Sequence, residues 1–277
     1  MRIRSSIPLI FDIARGSFVD GPGIRTIVFF KGCPLRCVWC QNPESHRLMP
    51  EIGYYPEYCN NGSDASEKRV IGKYYPPDEL AEIILRDRVF YETSDGGVTF
   101  SGGEPLIFID YLEEVSRILK AKNIHIAVET SGYFNFQTFE EKLLAFVDLI
   151  LYDIKIMDPD KHLKYTGKSN ELIIRNFENL LNRTVEILPR IPLIPGYTAT
   201  EEHLSQIADF FSEHNIKTYR FLPYNPSGIN KWKILGKAVP ENMPENPMTL
   251  EEERRWIKFF KNRMNHPVHK SRSKEVL

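Results

Sequence analysis

Three of the four cysteines in this 277-residue chain lie within eight residues, at Cys33, Cys37 and Cys40. A loop with this spacing can wrap three sulfur atoms around one metal centre, whereas a regular helix or strand would splay them. Structural zinc is normally closed by four ligands, often as two pairs. The sequence offers only Cys59 and His46 as further candidates. The pattern favours a [4Fe–4S] cluster with one open iron over zinc or free thiols.

A second motif, Ser101-Gly102-Gly103-Glu104-Pro105, follows a predicted strand. Two adjacent glycines let a bound ligand approach the backbone closely. An ordinary strand-to-helix turn also uses glycine and proline, so the motif alone leaves both interpretations open.

A third motif places Asp153 and Lys155 at the end of a nearly continuous apolar run. On a strand, these two residues lie on the same face. Buried charges need each other or a ligand, so the pair is either a structural ion pair or part of a binding site. Glu129 and Arg190, at the ends of the neighbouring predicted strands, add charge to the same rim.

Strand and helix patterns alternate along most of the chain, about six times. Predicted strands are 26–30, 98–101, 124–128, 149–156, 185–191 and 218–222; predicted helices are 78–91, 107–121, 139–146, a stretch near Asp160, 172–181, 201–211 and 250–263. This repetition predicts an α/β fold with a parallel sheet and outer helices. A partial barrel and an open doubly wound sheet both fit. In either fold, ligands bind at the carboxyl ends of the strands, where these motifs fall.

Two stretches interrupt the alternation. Residues 47–75 are predicted to be an insertion or long loop, and residues 266–277 a basic tail. The rest, within residues 1–265, is predicted to form one domain.

The chain carries 36 basic and 37 acidic residues, a net charge of −1. This balance argues against nucleic acid or an acidic membrane surface as a partner. No apolar run reaches the ~18 residues of a membrane span, and the short run at 7–11 is too brief for a secretory signal. We therefore expect a cytoplasmic protein.

Taken together, the motifs resemble a known family. The Cys-x3-Cys-x2-Cys spacing, with Trp39 before the last cysteine, is similar to the signature of the radical S-adenosylmethionine (SAM) superfamily. Residues 19–44 resemble its glycyl-radical-enzyme activating enzymes, typified by the pyruvate formate-lyase activating enzyme. The likeness continues through Gly97–Pro105, Glu129–Gly132, Asp153–Lys155, Arg190 with Ile194–Gly196, and Leu222–Asn225.

The resemblance implies a partial (β/α)6 barrel and a role for each motif. The three clustered cysteines would ligate the [4Fe–4S] cluster, and the amino and carboxylate groups of SAM would chelate its open iron. Trp39 would lie beside the adenosine, with Gly102 and Gly103 offering backbone groups to the amino group of SAM. Glu104, in the same turn, belongs to the expected cofactor-binding set.

The charged residues also receive roles from the resemblance. Lys155 would neutralise the SAM carboxylate, and Arg190 would add a donor nearby. Asp153, with Glu129, would help to hold a small cation next to SAM. Asp20 would contact the glycyl loop of the partner enzyme.

The sequence departs from the family at three places. The family usually has Asp at the position of Glu129 and often has a histidine, contacting the adenosine, at that of Asn225. Many relatives carry a ferredoxin-like insert with eight cysteines, of which only Cys59 remains here. This cysteine is expected to have no function.

The implied activity is reductive cleavage of SAM to methionine and a 5′-deoxyadenosyl radical, which abstracts hydrogen from a glycine Cα of a partner enzyme. A single cluster then needs an outside electron donor, flavodoxin or ferredoxin. Two alternatives remain: a radical SAM enzyme acting on a small molecule, and a non-enzymatic iron–sulfur electron carrier.

Overall fold

The computed structural model describes residues 7–56 and 66–265. Its strands are β1 (Leu9–Ser17), β2 (Arg25–Phe30), β3 (Glu51–Pro56), β4 (Ser66–Ile71), β5 (Lys73–Tyr74), β6 (Gly97–Gly102), β7 (His125–Thr130), β8 (Leu149–Asp153), β9 (Glu186–Leu193) and β10 (Arg220–Pro223). Its helices are α1 (Pro77–Leu85), α2 (Arg88–Ser94), α3 (Ile109–Lys120), α4 (Phe136–Lys142), α5 (Pro159–Thr166), α6 (Glu171–Leu181), α7 (Glu201–Glu213), α8 (Ser227–Ile234) and α9 (Leu250–Asn265).

The central sheet has the order β10-β9-β8-β7-β6-β2-β1-β5. Strands β2 and β6 to β10 run parallel to their neighbours, and β1 and β5 extend the β2 side with antiparallel pairing. Because β10 lies at one edge of this order, the parallel strands do not close into a ring. The partial α/β barrel expected from the sequence is confirmed.

The two faces of the sheet differ in chemistry. Outward-facing side chains such as Val98 and Phe100 of β6 are fully buried in the main core. On α3, Leu112, Val115 and Leu119 recur at helical spacing and are fully buried in the same core.

The inward face of the barrel holds a smaller apolar cluster, formed by Ala127, Leu149 and Leu151 with Leu188 packed against them. Along each of these strands the next inward position towards the carboxyl end is charged: Glu129, Asp153 and Arg190. The apolar cluster therefore lies directly beneath Glu129, Asp153 and Arg190, which form a charged layer.

Helix α5 shows how local sequence positions a loop beside the first motif. Asp158 accepts a hydrogen bond from the Lys161 N–H at 2.8 Å, and Pro159 occupies the first turn. Gly167 ends the helix at φ +78°, a conformation that glycine adopts without steric cost. This ending exposes the carbonyl of Thr166 to the loop that contains the cysteines.

The predicted helix over 78–91 is two helices, α1 and α2. The chain breaks at Asp87, whose carboxylate accepts hydrogen bonds from Arg15 and from Thr26. These contacts with β1 and β2 fix Asp87 and override the helical pattern.

The interpretation of residues 47–75 as a long loop is wrong in part, because β3 and β4 form an antiparallel pair there and β5 joins the main sheet. Strand β1 and helix α8 are also additions to the predicted elements. Cys59 and the basic tail at 266–277 lie outside the described residues. In the part of the chain that is described, no helix is long and apolar enough to cross a membrane.

Candidate active site

A cavity of about 500 Å³ opens at the carboxyl ends of the parallel strands. Ten of the residues predicted from the sequence line it: Cys33, Cys37, Trp39, Cys40, Gly102, Gly103, Glu129, Asp153, Lys155 and Asn225. Three other predicted residues, Asp20, Glu104 and Arg190, are not part of the lining. The structure thus brings together motifs that are up to 192 residues apart in the sequence.

The cysteine loop follows β2 and is held by backbone contacts with the end of α5. The Arg36 N–H donates to the Thr166 carbonyl at 2.6 Å, and the Val38 N–H donates to the Tyr165 carbonyl at 3.0 Å. The Arg36 guanidinium also donates to the carbonyls of Cys33 and Leu35. These hydrogen bonds fix the shape of the cysteine loop against the end of α5.

All three thiols are free; Cys37 is buried, and Cys33 and Cys40 are partly buried. Burial raises the pKa of Cys33, and the neighbouring Cys37 raises it further. Burial, with a smaller contribution from Cys37, raises the pKa of Cys40 to about 12. Three thiolates so placed need compensating positive charge, which the irons of a cluster supply. This donor set fits the [4Fe–4S] cluster expected from the sequence.

The glycine turn packs against the cysteine loop. A Cβ on Gly103 would lie 2.2 Å from the Gly32 carbonyl oxygen, and one on Gly102 would lie 2.4 Å from the Phe30 nitrogen. The Gly103 N–H donates to the Phe30 carbonyl at 2.9 Å. Both glycines are thus required by backbone packing.

Glu104 is fully buried and is not among the residues that line the cavity. Its carboxylate accepts hydrogen bonds from the Thr130 hydroxyl, the Ser131 hydroxyl and N–H, and the Leu106 N–H. Burial raises its pKa to about 7 against these hydrogen bonds. Contact between Glu104 and the cofactor stays a prediction from the sequence. Its position ties the turn after β6 to the turn after β7.

Arg190 links the two inward carboxylates. Its guanidinium Nε donates to Asp153 Oδ1 at 2.7 Å, and its Nη2 contacts Glu129. Lys155 Nζ donates to Asp153 Oδ2 at 2.9 Å. Burial opposes ionisation of Asp153, but Arg190 and Lys155 outweigh it and lower the pKa of that carboxyl. Asp153 is therefore ionised, and the side chains of both Asp153 and Glu129 already contact a cation.

The loop between β1 and β2 crosses the open side of the barrel. Its Val19 carbonyl accepts a hydrogen bond from Arg220 of β10 at 2.8 Å, and its Asp20 carbonyl accepts one from Thr99 of β6 at 2.7 Å. The Asp20 carboxylate accepts a hydrogen bond from the Ser17 hydroxyl at 2.5 Å. Asp20 thus lies beside the cavity, and Val19 lines it.

Trp39 and Asn225 occupy the opposite rim. The Trp39 side chain is buried, with its ring centroid 5.6 Å from that of Tyr197. The Asn225 side-chain oxygen accepts a hydrogen bond from the Ser227 N–H at 2.9 Å, at the start of α8. Asparagine at this position therefore supports the helix that follows it.

Several lining residues were missed from the sequence. Val19, Gln41, Ser101, Thr130 and Tyr224 all face the cavity. Ser101, Thr130 and Tyr224 end or follow a parallel strand, so the rule that strand ends carry the site could have found these three. The inward orientation of Arg25, fully buried and bonded to Thr99 at 2.7 Å, had no such signal.

Comparison with known proteins places this fold and cavity in a class. Residues 27–211 match the radical SAM superfamily, to which the chain belongs. Streptococcus suis SuiB bound to S-adenosylmethionine has a similar fold, with a TM-score of 0.55 over 84% of this chain and 45% of that chain, at 13% identity.

Two relatives define the branch. The trans-4-hydroxy-L-proline dehydratase activating enzyme of Clostridioides difficile is 36% identical, covering 90% of this chain and 95% of its own length. The isethionate sulfite-lyase activating enzyme of Oleidesulfovibrio alaskensis is 34% identical, covering 84% and 88%. The chain is an enzyme of the radical SAM superfamily and belongs to its activating enzymes for glycyl radical enzymes. That family uses a [4Fe–4S] cluster and SAM.

Proposed function

We propose that this enzyme installs a glycyl radical in a partner enzyme. The observation that carries the proposal is the single cavity in which three thiols, a glycine turn and Lys155 meet. When bound, the cluster supplies the electron that cleaves SAM to methionine and a 5′-deoxyadenosyl radical. That radical takes hydrogen from a glycine Cα of the partner.

The protein's own residues orient and shield this chemistry. Cys33, Cys37 and Cys40 hold the cluster. The carbonyls of the turn at Gly102 and Gly103 face the amino group of SAM, and Lys155 pairs with its carboxylate.

The remaining lining residues shape the two sides of the SAM site. Trp39 lies beside the adenosine of SAM, and Asn225 borders the same adenosine. Arg190 acts through the carboxylates that it holds. Asp20, on the loop across the open side, contacts the glycyl loop of the partner.

A small cation beside Glu129 and Asp153 is a further part of the proposal. Arg190 already bonds both carboxylates, so the cation shares them with that guanidinium. SAM affinity would then depend on whether potassium, sodium or choline chloride is the salt. Equal affinity in all three, at matched ionic strength, would remove the cation from the proposal.

The electron donor, the cellular location and the domain organisation are also part of the proposal. A single cluster requires an external one-electron donor, flavodoxin or ferredoxin, and a cytoplasmic location supplies both donor and partner. Residues 1–265 act as one domain, with 47–75 as an insertion.

Which glycyl radical enzyme is the partner does not follow from the likeness, because relatives with different partners match at 36% and 34% identity.

The experiment is anaerobic reconstitution, chemical reduction with dithionite, addition of SAM and measurement of 5′-deoxyadenosine. Product above a Cys40→Ala control is expected. Electron paramagnetic resonance of candidate partners then tests for a glycyl radical. An intact, reduced cluster that yields no 5′-deoxyadenosine, with or without a partner, would refute the proposal.

A further inference from the structure

Helix α8 packs directly on the chain that leaves the last clustered cysteine. A Cβ on Gly228 would lie 2.7 Å from the Cys40 carbonyl oxygen. The Gln41 side chain donates to the Asn225 carbonyl at 2.6 Å and accepts from the Ser227 hydroxyl at 3.0 Å. A helix is about 10–12 Å across with its side chains. The outer surface of α8 is therefore one helix thickness from Cys40.

That outer surface is polar and carries Lys233. Exposed residues recur at Ser227, Asn230 and Lys233, which places them on one helix face. The segment from 224 to 239 contains Lys231, Lys233 and Lys237 and no Asp or Glu. A helix that only needed solubility would carry both signs of charge.

The end of α8 brings more positive charge to the same place. Gly236, at φ +62°, reverses the chain, and the Lys237 N–H donates to the Trp232 carbonyl at 3.0 Å. This turn places Lys237 Nζ 2.6 Å from Glu51. Arg47, with 68% of its side chain exposed, lies 3.7 Å from the same carboxylate.

The local charges do not balance. Buried Lys31 also binds Glu51, at 2.9 Å, and Lys231 binds Glu44 at 3.0 Å. Four cations thus contact two carboxylates, and exposed Lys233 of α8 adds a fifth positive charge. These seven groups sum to three positive charges in a chain whose net charge is −1. Ion pairing and the helix dipole account for some of these lysines. They do not account for an excess concentrated next to the cysteine loop.

We propose that Arg47, Lys231, Lys233 and Lys237, the basic face, dock an acidic protein that carries a low-potential one-electron donor. This inference rests on the proposed function. In the step it serves, the carrier is oxidised by one electron and the cluster is reduced by one, with no bond made or broken. Electron tunnelling falls steeply with distance, so a carrier gains from docking one helix away from Cys40. The glycine-bearing partner instead needs the cavity mouth.

The test variant is Arg47→Glu with Lys233→Glu. Both side chains are exposed, and the only ion pair among the described contacts of either is the long one between Arg47 and Glu51. The matched control is Lys122→Glu with Lys217→Glu, which makes the same change in net charge. Both control lysines are exposed and precede β7 and β10, at the amino ends of the strands.

The probe is an acidic flavodoxin, photoreduced for kinetics and oxidised for binding titrations. At low ionic strength, the test variant should bind it at least ten-fold more weakly, and its cluster should be reduced at least ten-fold more slowly. The reason is that replacing attractive charges by repulsive ones chiefly lowers the association rate. The control variant should match the wild type. Added salt should narrow the difference in binding and reduction rate between the test variant and the wild type.

Dithionite separates this inference from the proposed function. With that small reductant, the wild type and both variants should form 5′-deoxyadenosine at equal rates. Equal flavodoxin binding by test and control variants would overturn the basic face as a docking surface. Failure of the wild type with dithionite would count against the proposed function, whereas the binding titration would still decide the docking surface.

Discussion

Asp153 and Arg190 are direct partners in the register of two neighbouring parallel strands, and Arg190 Nε lies 2.7 Å from Asp153 Oδ1. Only 14% of the Asp153 side chain and 4% of the Arg190 side chain are exposed. Such a buried pair stabilises the fold only while both members are present, because either one alone is an uncompensated charge.

Asp153→Asn should therefore lower the free energy of unfolding by about 3 kcal/mol, measured by urea titration. Asp209→Asn is the control, because Asp209 pairs with Arg263 at 2.7 Å on the outside of the barrel. The control should cost under about 1 kcal/mol. Equal losses in the two variants would mean that the inward pair is no more important than a surface pair.

Lys155→Ala should keep the cluster and bind SAM about ten-fold more weakly, because the variant lacks a cation facing the SAM carboxylate. Iron content and a SAM titration on the purified protein measure the two effects. Lys142→Ala, at a side chain that is 43% exposed, provides the comparison. Unchanged SAM affinity in Lys155→Ala would remove this residue from the site.

Cys33→Ala should abolish the cluster, since the two remaining thiolates cannot hold a cluster that needs three. Cys59→Ala should leave iron content and the ~400 nm absorbance of the cluster unchanged. Loss of iron in the Cys59 variant would show that a fourth thiol takes part, contrary to the expectation from the sequence.

Gly103→Ala should destabilise the protein by about 2–3 kcal/mol, because the added Cβ would lie 2.2 Å from the Gly32 carbonyl oxygen. Gly196→Ala tests the backbone contribution separately, since Gly196 has φ +78° and no atom within 4 Å of an added Cβ. That change should cost about 1 kcal/mol. Thermal and urea unfolding of both variants would reveal whether the close contact at Gly103 costs more stability than the positive φ at Gly196.

Glu104 should make stability depend on pH. Its pKa is raised from 4.5 to about 7 by burial, so the folded protein keeps a proton that the unfolded chain has lost. Stability should then fall as the pH rises from about 4.5 to 7, by roughly 3 kcal/mol from this group. Glu104→Gln should flatten this part of the profile, whereas Glu114→Gln, at an exposed position, should not. Parallel profiles for the wild type and Glu104→Gln would contradict the buried, protonated state.

Much of the site could be predicted because its chemistry is concentrated in short motifs at strand ends. Cys33, Cys37 and Cys40 need only their spacing, and Asp153 with Lys155 needs only the alternation of a strand. Glu104 could not be placed in this way, because its neighbours in sequence do not reveal that it turns towards Thr130 and Ser131. Its direction is decided by tertiary hydrogen bonds.

The fold was predictable to the same extent and for the same reason. The buried parallel strands are apolar runs that stand out in any window. Strand β3 exposes Ile52 and Tyr54, and its partner β4 exposes Val70, so apolar residues do not mark a buried face in these strands. Their pairing depends on contacts outside the segment, including Ile234 of α8 beside Gly53.

The apolar cluster of Ala127, Leu149, Leu151 and Leu188 closes the barrel beneath the charged layer. The segment from 18 to 24 crosses the side of the barrel, tied to Arg220 and Thr99. In the proposed reaction, SAM, both of its fragments and the glycine-bearing loop therefore share one entrance. Fragments cannot leave while that loop fills the opening, so the exchange of spent for fresh SAM must wait until the activated partner has withdrawn.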